Sequence, residues 1–276
     1  MSNRRRAPKR RADEGRHPGS ATHWGDVAGW YDEHVGDGGG DFHENVVLPG
    51  ALRLLGKGDT GVEGMAVLDV ACGQGVLCRQ LAERGARPVG FDASEALIRR
   101  ARERSPELAF HVGDAREIES AAWLAAGSFD AAACLLALSN IQPIRPVFDG
   151  VAKALRPAGR LAIVVNHPAF RGAKETHWGW DADADVQYRR VDRYLLPRKA
   201  PIVAHPGRRD DGTYTWTYHR PIGAYVKALA RAGLLVDALE EWPSHRVSQP
   251  GARAAAENRA RKEIPMFLAI RAIKPG

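Results

Sequence analysis

A doubly wound, mostly parallel α/β sheet is the fold class this sequence predicts, on three observations. Short apolar runs alternate with longer segments of helical spacing between residues 65 and 165. The first run, 65–70, passes through Ala71-Cys72-Gly73-Gln74-Gly75 directly into a helical pattern. The second and third runs each give way to an acid, Asp92 and Asp114. Strands separated by helices require crossover connections, and these place helices on both faces of a parallel sheet.

Each element has a local cause. Helical spacing at 24–34 and 44–55 precedes the first strand, the two parted by the glycine-rich 36–40. Run 65–70 is short and apolar enough for a buried strand, and 76–84 follows it with a helical stripe. Strand 88–91 leads into helix 94–104, with Ser94 as N-cap and Glu95 in the first turn. Strands 108–112 and 129–135, helix 147–155, turn 156–159 and strand 160–165 complete the alternation. Helix 221–232 is closed by Gly233, and strand 234–241, a charged helical pattern at 252–262 and strand 265–273 end the chain. No internal repeat is present.

The chemistry concentrates after the first strand. Gly73 and Gly75 let the backbone approach a ligand at a helix N-terminus, where N–H groups lack partners. An acid ending the second strand of such a fold, here Asp92, is placed to accept hydrogen bonds from both hydroxyls of a ribose. The dinucleotide pattern Gly-x-Gly-x-x-Gly fails in both registers: counted from Gly73 its third glycine is Cys78, and counted from Ala71 its first is alanine and its last Val76. Asp69 is either a clamp on the turn's backbone or a contact near a cofactor's amino group.

Val67-Leu68-Asp69-Val70-Ala71-Cys72-Gly73-Gln74-Gly75 resembles motif I of the class I S-adenosylmethionine (SAM) methyltransferases, with Ala71 in place of that motif's first glycine. The resemblance continues through His111-Val112-Gly113-Asp114-Ala115 and through Phe129-Asp130-Ala131-Ala132-Ala133-Cys134-Leu135. Upstream, Trp30-Tyr31-Asp32 resembles the aromatic-Tyr-Asp of small-molecule members, including the ubiquinone and menaquinone methyltransferases. The resemblance implies a Rossmann-like sheet ending in an antiparallel hairpin of strands 234–241 and 265–273. It implies SAM as cofactor, held by Tyr31, Asp69, Ala71, Gly73, Gly75, Asp92, Ala93, Asp114, Ala115 and Leu135, with Asp114 at the adenine amine. Leu138-Ser139-Asn140-Ile141 stands where many members have Leu-His-His, so that histidine's role is not carried over.

Residues 167–219 are too long for a simple connection. They hold 8 of the chain's 20 aromatics, which predicts an aromatic lid over the cofactor that selects the acceptor. Within them 213–218 alternates at period two, so Tyr214, Trp216 and Tyr218 share one face of a strand, with a turn at 209–212 and a partner strand at 202–205. Trp216 is expected to pack the lid down. The acceptor-site candidates are Trp178, Tyr188, Tyr214 and Tyr218, joined by His43 and Asn140. His167 directly follows a strand at the sheet's carboxyl edge, where it serves either as the general base or as a hinge bonded to backbone. The segment's four histidines show no zinc-type spacing, so no metal is expected.

Of the net charge of +7, residues 1–16 hold +5, seven cations against two acids, and the rest of the chain +2. The basicity thus belongs to a tail, 1–22, that is expected to be disordered, ahead of one domain at 23–276. The tail is a solvated segment or an arm for polyanions such as RNA. No apolar stretch approaches the about 20 residues of a membrane span, and three cysteines form no metal-type pair, so a cytoplasmic location is expected. The function expected is methyl transfer from SAM to a small molecule. Methylation of RNA and SAM binding without catalysis are the alternatives, and the oligomeric state is left open.

Overall fold

The computed structural model describes residues 40–57, 61–172, 175–203 and 214–276, leaving out the side chains of Val203 and Tyr214. The tail 1–22, the helical pattern 24–34 with Tyr31, and the turn 209–212 lie outside the described residues.

A π-type turn, His43–Val47, runs into helix α1 (Leu48–Leu55). The alternation then proceeds as β1 (Ala66–Val70), α2 (Val76–Ala82), β2 (Arg87–Asp92), α3 (Glu95–Arg104) and β3 (Ala109–Val112). A 3₁₀ turn, Ala115–Ser120, leads to β4 (Phe129–Leu135), and a second, Leu138–Asn140, to α4 (Arg145–Ala154) and β5 (Leu155–Asn166). As its sequence predicts, Ser94 caps α3, its hydroxyl accepting from the Leu97 N–H at 3.3 Å.

Within 167–219 the described residues form two hairpins: β6 (Thr176–Asp181) with β7 (Val186–Val191), and β8 (Arg198–Val203) with β9 (Tyr214–His219). The predicted strand at 213–218 is β9, and its partner starts earlier than predicted, at Arg198. Helix α5 (Ile222–Arg231), β10 (Leu235–Trp242), α6 (Ala254–Glu263) and β11 (Phe267–Ile273) complete the order.

Seven strands make one sheet in the order β10-β11-β5-β4-β1-β2-β3. All but β11 run parallel, and β11 pairs antiparallel with both β5 and β10, which is the hairpin ending expected. Strand order reverses beside β1, with β2 on one flank and β4 on the other. Connections leave that point toward opposite faces, which opens a crevice at the carboxyl ends of β1 and β4.

Both faces are covered, which is why the central strands read as unbroken apolar runs. Leu68, Val70, Ala132 and Cys134 pack under α4 and α5 residues such as Phe148 and Tyr225, while Val67, Ala131 and Ala133 pack with Leu54, Leu77 and Leu81 on the other side. The alanines of β4 keep that strand thin between its two layers.

The turn after β1 carries left-handed backbone at alternate positions: Ala71 (φ 58°), Gly73 (φ 56°) and Gly75 (φ 81°). Alanine thus occupies the strained slot that the motif gives to glycine, at a cost of about 1–2 kcal/mol. At Gly75 a Cβ would also meet Phe110 ring carbons at 2.8 Å. Gly75→Ala is therefore expected to lower unfolding free energy by about 2 kcal/mol or more, from left-handed strain plus overpacking. Urea denaturation checks it, and an unshifted midpoint contradicts the assignment.

Candidate functional site

The crevice at the switch point is a cavity with about 820 Å³ of empty space, its mouth included. Ala71 and Gly73 from the β1 turn line it, with Asp92 and Ala93 from the end of β2, Asp114 and Ala115 after β3, Leu135 at the end of β4, and His43 and Asn140. Seven of the ten residues expected at the cofactor, and two of the six expected at the acceptor, thus meet in one place. Leu97, Leu136, Ala137 and Ile141 also line it and went unmarked in the sequence. Their only signal is position, just past the carboxyl ends of β2 and β4, where open α/β folds bind ligands.

Asp92 organises the crevice. Its Oδ2 accepts from the Gly73 N–H at 3.0 Å and its Oδ1 from the Ser94 N–H at 2.8 Å, so one carboxylate ties the glycine turn to the end of β2. Burial pushes its pKa up, and the two N–H bonds only partly offset that. Asp114 is held by Arg116, whose backbone N–H and Nε each donate to Oδ1 at 2.9 Å. Burial again pushes upward, but here the Arg116 hydrogen bonds and charge prevail and hold the carboxyl below its ordinary value.

Asp69 behaves differently. It lines a smaller adjoining cavity with His43, Ala71, Cys72 and Leu135. The Cys78 thiol donates to its Oδ2 at 3.5 Å. No backbone N–H bond to it is found among the described residues, so clamping the turn falls to Asp92. Burial, with the charge of Asp92 adding to it, pushes the Asp69 pKa up to about 7. His43, lining both cavities, has its pKa lowered by burial and is neutral at pH 7.

Other expectations need correction. Gly75 does not line the cavity; it precedes α2 in left-handed backbone, its Cβ direction filled by Phe110. His167 does not line it either. Its ring is 1% exposed, Nε2 bonds Glu241 Oε1 at 2.8 Å, and Nδ1 accepts from the Ala169 N–H at 3.2 Å. With both nitrogens engaged at the root of the insertion, His167 has the geometry of the hinge and not of a base.

Among the described residues, none of 167–219 lines the main cavity. Trp178 and Tyr188 sit on the β6–β7 hairpin, which docks on α6 through Arg253 over the Trp180 ring and Arg259 bonded to the Asp185 carbonyl. Trp178 is flanked by the guanidinium groups of Arg189 and Arg171, and Tyr188 is 46% exposed. The β8–β9 hairpin instead adjoins the crevice. Asn140 Nδ2 donates to the Trp216 carbonyl at 2.8 Å, and Arg220 Nη1 to the Leu138 carbonyl at 2.9 Å. Tyr218 lines a second cavity beside this seam, and Tyr214 lies at the far end of β9. Lys199 Nζ lies 3.8 Å from the centre of the half-buried Trp216 ring.

A methyltransferase-domain family model matches residues 67–159. The chain is 33% identical over 116 residues to ubiquinone biosynthesis O-methyltransferase of Idiomarina loihiensis, covering 42% of this chain and 48% of that protein. It is 32% identical over 142 residues to demethylmenaquinone methyltransferase of Beutenbergia cavernae, covering 50% and 57%. The chain therefore spans about half the length of the curated relatives it matches. Among solved structures, an S-adenosylmethionine dependent methyltransferase from Mesorhizobium loti superposes with TM-score 0.63 at 26% identity, over 85% of this chain and 98% of that one.

His167→Ala is expected to lower stability by about 1–3 kcal/mol through stranded N–H groups at the hinge. Ligand affinity in the crevice should not change. Paired denaturation and ligand calorimetry check this, and weakened binding with unchanged stability would return His167 to the site.

Proposed function

We propose that this chain, a member of the class I S-adenosylmethionine-dependent methyltransferases, transfers the methyl group of SAM to a small-molecule acceptor. The observation that carries the proposal is the composition of the switch-point cavity. Three carboxylates, Asp69, Asp92 and Asp114, stand in or beside a wall that, apart from His43, Asn140 and Gln74, is small or apolar. That donor-poor, acid-rich set fits a cationic nucleoside. Asp92 takes the ribose hydroxyls on the lone pairs its backbone bonds leave over, Asp114 the adenine amine, and Asp69 the cationic end. Ala71 and Gly73 leave room for the chain between.

When bound, SAM supplies a methyl carbon on a positively charged sulfur; as the acceptor's lone pair forms the new bond, the carbon–sulfur bond breaks and its electrons stay on sulfur. The protein's part is to align the two partners and exclude water. Leu135, Leu136 and Ile141 supply dry wall for this. Where the acceptor must also lose a proton, neutral His43 is the imidazole that lines the cavity. A His43→Gln variant should then keep SAM affinity while its turnover loses the acid-side dependence on pH that a histidine held below its ordinary value confers; an unaltered rate profile rejects the role.

The small-molecule acceptor is favoured by the relatives named above, a ubiquinone biosynthesis O-methyltransferase and a demethylmenaquinone methyltransferase. Methyl-labelled SAM incubated with the full chain and an extract divided into small molecules and RNA tests it. Label should enter the small molecules. Label in RNA overturns the acceptor class, and SAM binding without label transfer overturns the activity.

Two predictions follow from the carboxylates. Asp92→Ala should weaken SAM binding by about 1.5–3 kcal/mol, roughly 10- to 150-fold, measured by calorimetry. Affinity for SAM should also rise between pH 6 and 8, because Asp69 with its pKa near 7 becomes anionic over that range and attracts the cationic ligand. In Asp69→Asn that rise should flatten. An equal slope in both proteins would detach Asp69 from the cofactor.

A further inference from the structure

The second cavity holds about 630 Å³ of empty space, mouth included, between the insertion and the main fold. The turn Leu138–Asn140 borders both cavities, Ser139 lining this one and Asn140 the first. Three arginines line it, Arg171, Arg198 and Arg220, and no acid does among the described residues.

The three guanidinium groups differ in what balances them. Arg198 is ion-paired with Glu175. Arg220 is buried and donates to neutral acceptors, the carbonyls of Leu138 and Ile141 and the Gln142 side-chain oxygen, so it anchors the hairpin while its charge stays uncompensated. Arg171 is half-buried, rests beside the Trp178 ring, and is paired with no carboxylate among the described residues. Its charged neighbours, Arg189 and Arg261, are of the same sign, and burial together with those charges pulls its pKa down. Two uncompensated cations around one cavity are costly to hold in a partly dehydrated place. A ligand anion supplies the missing charge, and a guanidinium fork is suited to carboxylate or phosphate.

We propose that this second cavity receives an anionic group of the methyl acceptor, a carboxylate or a phosphate, with Arg171 as its direct contact and Arg220 as a fixed positive charge behind it. The acceptor's anion is then held on the insertion side of the 138–141 turn and its nucleophile is presented to the cofactor cavity on the turn's other side. This rests on the methyl-transfer proposal above, and its test has two arms that separate the two.

In the first arm, inorganic phosphate and acetate are titrated separately by calorimetry at low ionic strength into the full chain, Arg171→Gln and Arg171→Lys. Arg190→Gln serves as the control, because Arg190 is exposed on β7 and paired with Asp192. Saturable binding of at least one anion is expected, weakened about tenfold or more by Arg171→Gln, largely retained by Arg171→Lys and unchanged by Arg190→Gln. No saturable binding, or equal loss in the Arg190 control, overturns the inference. In the second arm, the labelled small-molecule product from the wild-type chain is passed over an anion exchanger at pH 8. Retention supports the inference. A neutral or cationic product overturns it and leaves methyl transfer standing, whereas absence of any labelled product overturns methyl transfer while the first arm still decides the anion site.

Discussion

One partly buried carboxylate, Asp92, holds the functional end of this molecule together. The β1 turn has left-handed backbone at three alternate positions, two of them glycine, and such a turn is costly to order because glycine loses more conformational freedom on folding than any other residue. Asp92 offsets that cost by bonding the Gly73 N–H on one side and the Ser94 N–H on the other, while the Cys72 N–H donates to the Phe91 carbonyl at 3.1 Å. Hydrogen bonds to a charged group contribute about 1.5–3 kcal/mol each, against the expense of burying the charge. The upward pull on its pKa shows that burial is not fully balanced by protein groups alone. Under the proposed function a ribose completes the balance, so the interaction that stabilises the turn is also the one that prepares it for the cofactor.

The sheet carries a second buried acid at its opposite edge, and the contrast separates structure from function. Asp130, at the amino end of β4, accepts from the Ala66 N–H at 2.9 Å and Lys57 Nζ at 3.0 Å, and pairs with Arg156 at 2.9 Å. Burial pushes its carboxyl upward, but those donors prevail and hold it below its ordinary value. It is anionic and fully engaged, a staple across strand starts. Asp69, one strand away at the carboxyl edge, has a thiol where Asp130 has two cations and an amide, and its pKa rises to about 7. A carboxylate that poorly compensated beside a cavity is what recommends Asp69 for the cofactor's cationic end in the proposed function.

The sheet was legible because its signals are local. Strand 129–135 was bounded to the residue, and the Ser94 cap and the glycine turn were read from adjacent residues. What escaped depends on contacts distant in sequence. His167 has the right edge of the sheet for a base, but Glu241, from β10, and the 169–170 backbone claim its ring, and no spacing near position 167 announces that. Gly75 was legible as a special backbone position but not as one whose neighbour, Phe110, lies on β3. The insertion's aromatic content was plain, yet where its rings point was decided by α6, a helix some 60 residues further on, to which the first hairpin docks.

Under the proposed function, acceptor choice rests on how the insertion is anchored and not on any motif. Arg220 is the main fastener: from the end of β9 its fork reaches back to carbonyls of the 138–142 turn, which at its other face lines the cofactor cavity. An arginine is suited to this because it stays charged when buried and offers five donors in a fixed plane. A shorter or uncharged residue there would release the hairpin from the turn and separate the two cavities. With the anchor in place, Asn140 and Trp216 share a hydrogen bond across the seam, so any displacement of β9 is felt within one residue of the cofactor wall. Under the two proposals, binding at the insertion side and alignment at the methyl are coupled through one short turn, and for an in-line displacement alignment is most of what the protein contributes.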